Sequence, residues 1–237
     1  MSADRKRDKT SAGKPVDPDR PGQAKPAGPG RPKDLAKRAA ILDAAKSMFT
    51  QYGFGGASMD QIAAEAGVSK LTVYSHFGDK ETLFAAAVRA YCEQQLPSTL
   101  FESGPGLPLR ERLLAIARAF YAMISKPEAI AGHRILCTPQ LADSALPKMF
   151  WEAGPQRVQD EFSALLRRRI AIGELDVPDV ARASAQFFTL LKGEPHAQMV
   201  FGCCGGLAAD EVQAHLAASV DLFLRAYGTR GGAGGSR

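Results

Sequence analysis

The apolar positions fall into successive helical stripes, divided by glycine, proline and capping residues. Ile41, Ala45, Met48, Phe49 and Tyr52 recur at helical spacing and predict a first helix over 34–52, ended by Gly53. Ser58 followed three residues later by Gln61 is a capping-box pattern, and Ile62, Ala63 and Ala66 carry it on as a second helix. Gly67 is placed to end that helix in a left-handed conformation, Val68 to fill the corner, and Ser69 to cap a third helix over 70–77. Val73 and Phe77, four apart, form its inner face. Gly78 stops it. Asp79 caps a fourth helix with the stripe Leu83, Phe84, Ala87, Val88 and Tyr91, which Pro97 breaks.

A linker over 98–108, rich in glycine and proline, follows. Beyond it the pattern is helical again and shows no convincing strand. Leu109, Leu113, Ile116, Phe120, Met123 and Ile124 make one stripe, and Pro127 opens a short helix at the tolerated first position. Val158, Phe162, Leu165 and Leu166 mark the next, started or kinked by Gly154-Pro155. Val180, Ala181, Ser184, Phe187, Phe188 and Leu191 mark another, stopped at Gly193, and Val212, Leu216, Val220, Phe223 and Tyr227 mark the last. The prediction is an all-α chain of about nine helices. A three-helix unit at 34–91 precedes a helical bundle at 98–228, with flexible ends at 1–33 and 229–237.

Helix, glycine turn, helix over 58–77 is the arrangement in which a second helix enters the DNA major groove. With Val73 and Phe77 inward, Lys70, Leu71, Thr72, Tyr74, Ser75 and His76 are left outward. A cation, hydroxyls, an imidazole and small apolar surface suit phosphates, base edges and the thymine methyl. Two packed helices also occur in any bundle; Ala63, Gly67, Val68, the Tyr74–His76–Phe77 cluster and Lys80 favour DNA.

Those residues carry a likeness. GASMDQIAAEAGVSKLTVYSHFGDKETLF resembles the DNA-binding signature of the TetR/AcrR family of one-component regulators, strongly over 33–91. The segment Leu190-Leu191-Lys192-Gly193-Glu194 is similar to the AefR-like subgroup. The resemblance implies a homodimeric regulator, expected to be a ligand-responsive repressor of a palindromic operator. Lys70, Leu71 and Thr72 would read bases. Ser58, Tyr74, His76 and Lys80 would hold phosphate, with Ser75 beside them and Lys37 or Arg38 approaching from the first helix. The C-terminal half would bind an inducer and dimerise through its last two long helices, placed at 177–192 and 208–227. Phe187, Leu191, Leu216, Val220 and Phe223 are then the interface candidates. Each recognition helix would read one half-site, the two about 34–36 Å apart.

Charge adds a second possibility. Residues 1–33 hold nine Lys and Arg against four Asp, a net +5, and the whole chain is also +5, so the remainder is neutral. The basic character therefore lies in an arm beside the DNA-binding unit, with Arg31 and Lys33 nearest to it. The alternative function is a non-specific architectural DNA-binding protein gripping through that arm. No run reaches the ~18–20 apolar residues of a membrane span and no apolar stretch follows the basic start, so a cytoplasmic location is expected. Cys92, Cys137, Cys203 and Cys204 lack metal-type spacing and read as reduced thiols. Adjacent Cys203 and Cys204, with His196 and Cys137, would form a redox or soft-metal sensor only if the fold gathered them.

Candidates for a mostly apolar inducer pocket are Phe120, Met123, His133, Cys137, Trp151 and Gln186. Arg167-Arg168-Arg169 reads as a solvated or interface stretch, since consecutive helical residues point apart. The chain carries no glycine-rich phosphate loop, HExxH or GxSxG motif, so no enzyme class, cofactor or metal is expected.

Overall fold

A computed structural model describes residues 32–102, 107–142 and 144–229. The basic arm expected to reach DNA, and nearly all of the glycine-rich end, lie outside the described residues. In chain order the helices are α1 Pro32–Gly56, α2 Met59–Glu65, α3 Lys70–Phe77, α4 Lys80–Gln95, α5 Leu109–Ile124, α6 Pro127–Leu136, α7 Pro139–Ala142, α8 Leu146–Trp151, α9 Arg157–Ala171, α10 Val180–Phe201 and α11 Ala209–Tyr227. The wide π-helical turn Glu152–Gln156 joins α8 to α9 without a break. With 146–171 taken as one helix and α7 as a single turn, nine helices remain among the described residues, in line with the about nine that the sequence predicts. Among the described residues the only extended pairing is an isolated bridge between Leu175 and Gly228.

Two apolar cores organise these helices. Ile41, Ala45, Ile62, Val73, Phe77, Leu83 and Ala87 form the first, between α1, α2, α3 and the start of α4. Cys92 and Leu96, at the far end of α4, belong to the second, with Phe120, Phe162, Phe187, Leu191, Leu216 and Phe223. One helix therefore serves both cores. The first helix departs from its predicted stripe at one end: Tyr52 is 49% exposed. There α1 has run past α2 and turns Gly53 toward Ile135 of α6 instead, with Gly53 breaking the helical path at φ 68°.

The segment after α4 is more tightly held than a linker. Ser98–Leu100 forms a 3₁₀ turn, and Phe101 is buried. Arg168 of α9 donates to the Phe101 carbonyl, and Ser98 Oγ donates to Glu161 at 3.2 Å. Of the arginine run, Arg169 is also engaged, buried and paired with Glu174 at 3.0 Å, while Arg167 is exposed.

The last two helices correct two expectations. Gly193 breaks α10 as predicted, with φ 52°, but the chain re-enters a helix at once through Pro195 and continues to Phe201. Phe187, Leu191, Leu216, Val220 and Phe223 do not face a partner. All are buried within the single chain, where Phe187 stacks on Phe162 at 4.5 Å and meets Phe223 edge-on at 5.1 Å. An apolar helical face seals against its own bundle first. The exposed positions of α11 include Ala214, Ala218 and Leu222, one turn apart, and those of α10 include Gln186 and Thr189.

Gly193 is conformationally required. Its positive φ disfavours any side chain, and an added Cβ would lie 2.9 Å from His215 Cε1, a ring fixed by its Nε2 contact to the Leu191 carbonyl at 3.0 Å. Gly193→Ala is expected to destabilise the fold by about 1–3 kcal/mol. Gly205→Ala, where the new methyl meets open space, should leave the urea midpoint unchanged. Equal midpoints for the two variants would refute the assignment.

Candidate nucleic-acid interface and ligand cavity

The recognition unit is built from local caps. Ser58 Oγ accepts from the Gln61 amide at 3.2 Å, and Gln61 Oε1 accepts from the Ser58 amide at 2.9 Å, completing the predicted box. Gly67 takes φ 64° at the turn. Ser69 Oγ accepts from the Thr72 amide at 3.1 Å and starts α3; Asp79 does the same for Thr82 at 2.7 Å and starts α4. Val73 and Phe77 point inward and are buried. A Lys70–Asp60 ion pair at 2.8 Å ties α3 back to α2.

The outer face of α3 presents Leu71, 77% exposed, together with Lys70, Tyr74 and Ser75. Thr72 is half-buried, its hydroxyl 2.8 Å from that of Ser69. His76 differs from the expectation. Its ring turns back to α1, where Nε2 lies 2.8 Å from Asp34 Oδ1, and the side chain is only 13% exposed. Arg38 sits over the Phe77 ring at 4.9 Å. Both contacts fasten the start of α1 to the end of α3, so His76 is turned back onto Asp34 and not outward as expected. Lys37 remains exposed. Lys80 rests over the Phe54 ring at 4.5 Å, at the first turn of α4.

Behind that ring lies a cavity of about 810 Å³ between the two cores. Of the residues predicted to line it, Phe120, Met123, His133 and Trp151 do so. Cys137 and Gln186 do not. Cys137 is exposed at the end of α6, and Gln186 lies on the outer side of α10, where its Oε1 accepts from the Tyr227 hydroxyl. The cavity also takes residues that the sequence reading assigned elsewhere. Phe49 and Phe54 of α1 and Phe84 of α4 contribute a wall of three rings, with centroids 5.3–6.0 Å apart. Periodicity marked Phe49 and Phe84 as apolar, but nothing in it shows that α1 outruns its own core. Lys192 and His196, either side of the Gly193 break, line the opposite end.

That end is held by Arg134 of α6, whose Nε and Nη2 donate to the Val200 and Met199 carbonyls at 2.7 and 2.6 Å. The contact caps the bent part of α10. It sets the rings of His133 and His196 5.5 Å apart, edge to face. Burial lowers the pKa of both, and for His196 it is pushed down to about 4, with His133 and Lys192 adding to the effect. Burial likewise lowers Lys192. Cys92, buried against the wall, has its thiol pushed up to about 11 by burial and is an inert small hydrophobe. Cys137, Cys203 and Cys204 are free thiols, and no cluster of three metal-type side chains occurs among the described residues.

Comparison with known proteins agrees on both halves. Residues 41–87 match the model of bacterial regulatory proteins, tetR family, and residues 111–229 match that of the AefR-like transcriptional repressor C-terminal domain. The HTH-type transcriptional activator FasR of Mycolicibacterium smegmatis is 31% identical over 172 residues, 65% of this chain and 76% of that protein. A TetR-family regulator from Mesorhizobium loti superposes with a TM-score of 0.68 at 28% identity, covering 84% of this chain and 100% of the other. The flavonoid-responsive regulator FrrA gives 0.63 at 31% identity, covering 82% and 98%.

The buried imidazoles make stability depend on pH. Unfolded histidine binds its proton near pH 6.5, whereas folded His196 does so only near 4. The stability contributed by the neutral ring is complete above pH 6.5 and is lost as pH falls through that window. For His196, which is 6% exposed, the loss amounts to about 2–3 kcal/mol. His196→Gln should flatten the decline in unfolding free energy between pH 7 and 4.5 relative to the unsubstituted protein. Parallel curves would show that the ring is not held neutral.

Proposed function

The chain belongs to the TetR family of DNA-binding transcriptional regulators, and from that premise we propose that it is a homodimer released from a palindromic operator when a small, mostly apolar ligand fills the cavity. The observation that carries this reading is the shared wall. The recognition unit supplies Phe49, Phe54 and Phe84, and the C-terminal bundle supplies Phe120, His133 and Phe188. A ligand touching both acts on their relative placement. It need bind the two arrangements only unequally: coupling of about 1–3 kcal/mol shifts occupancy roughly 5–150-fold. FrrA is described as flavonoid-responsive, and a planar aromatic ligand suits a wall of phenylalanine rings.

The two parts of the chain take the roles of an operator reader at 34–91 and a ligand-binding, dimerising bundle at 98–228. Dimerisation is assigned to the outward faces of α10 and α11. Ala214, Ala218 and Leu222 let a second backbone approach closely, and the twofold axis brings two α3 helices to successive half-sites. Leu71 is the foremost base-reading residue because it is the most exposed large apolar side chain on α3. Lys70 joins it on release of Asp60, and Tyr74 and Lys80 take phosphate, Lys80 by leaving the Phe54 ring. Ser58 contributes the start of α2. Among the described residues no helix is long and apolar enough to cross a membrane, which fits a regulator that meets DNA directly.

The test is retention of sheared genomic DNA from the host by the purified full-length protein at near-physiological salt, followed by sequencing. A few sharp peaks sharing a palindrome are expected. Broad retention without a motif would replace this reading with an architectural protein, and retention of nothing would overturn it. On the recovered operator, Leu71→Ala should cost about 1–3 kcal/mol and alter the preferred bases. Lys80→Ala should weaken all sequences alike and reduce the salt slope by about one. Uniform loss in both variants would remove Leu71 from base reading.

A further inference from the structure

One end of the cavity is chemically unlike the rest. Lys192 lines it, and among the described residues no carboxylate lies within ion-pair distance of its Nζ. The other two lysines on the wall are occupied: Lys46 pairs with Asp43 at 2.7 Å and Lys126 donates to Gln95 at 2.9 Å. The one carboxylate on the wall, Glu128, lies in the exposed first turn of α6. Beside Lys192 stand the two neutral imidazoles of His133 and His196, each with an N–H to donate.

A partly buried ammonium without a counter-charge is costly, and its natural complement is an anionic oxygen. A cationic ligand would be repelled there, and a purely apolar one would bury the ammonium further with nothing in return. We infer that the ligand is an apolar, ring-bearing acid: its rings lie against the phenylalanine wall, and one oxyanion, a carboxylate or an ionised phenol, sits on Lys192 with the two imidazoles donating to it. This inference rests on the cavity being the ligand site.

Two dyes with the same rings separate the inference from that reading. The sulfonate 1-anilinonaphthalene-8-sulfonate carries the anion, and N-phenyl-1-naphthylamine lacks it. Trp151, the chain's single tryptophan, lines the cavity and reports either dye by quenching. The sulfonate is expected to bind the full-length protein about tenfold or more tighter than the amine. Lys192→Met should abolish that preference, leaving amine binding within about twofold, and Lys192→Arg should restore it. Equal affinities for the two dyes in the unsubstituted protein, or an unchanged preference in Lys192→Met, would overturn the inference while the cavity stood. Quenching by neither dye would overturn the cavity reading itself. Should Lys192→Met fail to fold, the preference of the unsubstituted protein and of Lys192→Arg still decides.

Discussion

The structure depends on α4 being packed at both ends into different cores. Leu83 and Ala87 are fixed among α1, α2 and α3, while Cys92 and Leu96 are fixed in the bundle. A helix transmits displacement along its axis because its hydrogen bonds resist bending, so neither end moves without the other. The bundle grips α4 closely. At the π turn, a Cβ on Gly154 would lie 3.2 Å from Cys92 Sγ and 3.3 Å from Val88 Cγ1, so the turn packs tightly against the side chains of α4. Pro155 cannot donate a backbone hydrogen bond, and the wide turn accommodates that loss while pressing Gly154 onto α4. Gly154 and Pro155 also line the cavity. The contact between α4 and the bundle and the wall of the cavity therefore share Val88, Cys92, Gly154 and Pro155.

What was legible in the sequence is what a few adjacent residues decide. The caps at Ser58, Ser69 and Asp79 and the break at Gly67 each close a hydrogen bond within three residues, so pattern alone places α2, α3 and the start of α4. The inward pair Val73 and Phe77 is legible for the same reason. The His76–Asp34 contact is not, because it depends on how the ends of α1 and α3 are brought together after the core has formed. An outward position on an isolated helix became an inter-helix tie.

The bundle shows a different limit. Periodicity finds the apolar faces of α10 and α11 correctly but does not say what covers them. Phe187, Leu191 and Phe223 are consumed by Phe162 and its neighbours, so the proposed dimer would draw on alanines, one leucine and polar residues. Likewise Gly193 reads as a stop, whereas the chain uses it as a bend. That bend brings His196 to His133, a pairing no stripe analysis of 177–192 contains.

The bend also links the two halves of the proposed mechanism. Arg134 caps the end of α10, and α6, which carries it, packs against α1 through Ile135 and Gly53. In the proposed mechanism, an anion on Lys192 would act beside the Gly193 break of α10, the helix whose far end Arg134 of α6 caps, and α6 in turn meets the helix that carries Phe49 and Phe54. The apolar part of the same ligand would press directly on those rings, of which Phe54 carries Lys80. Two routes then converge on the start of α4, one through rigid capping contacts and one through the aromatic wall. Because no carboxylate pairs with Lys192 among the described residues, its partial burial carries a cost that the proposed acid would relieve. In the proposed mechanism, ligand affinity, the stability of the bundle and the setting of the recognition unit would be linked through that one ammonium.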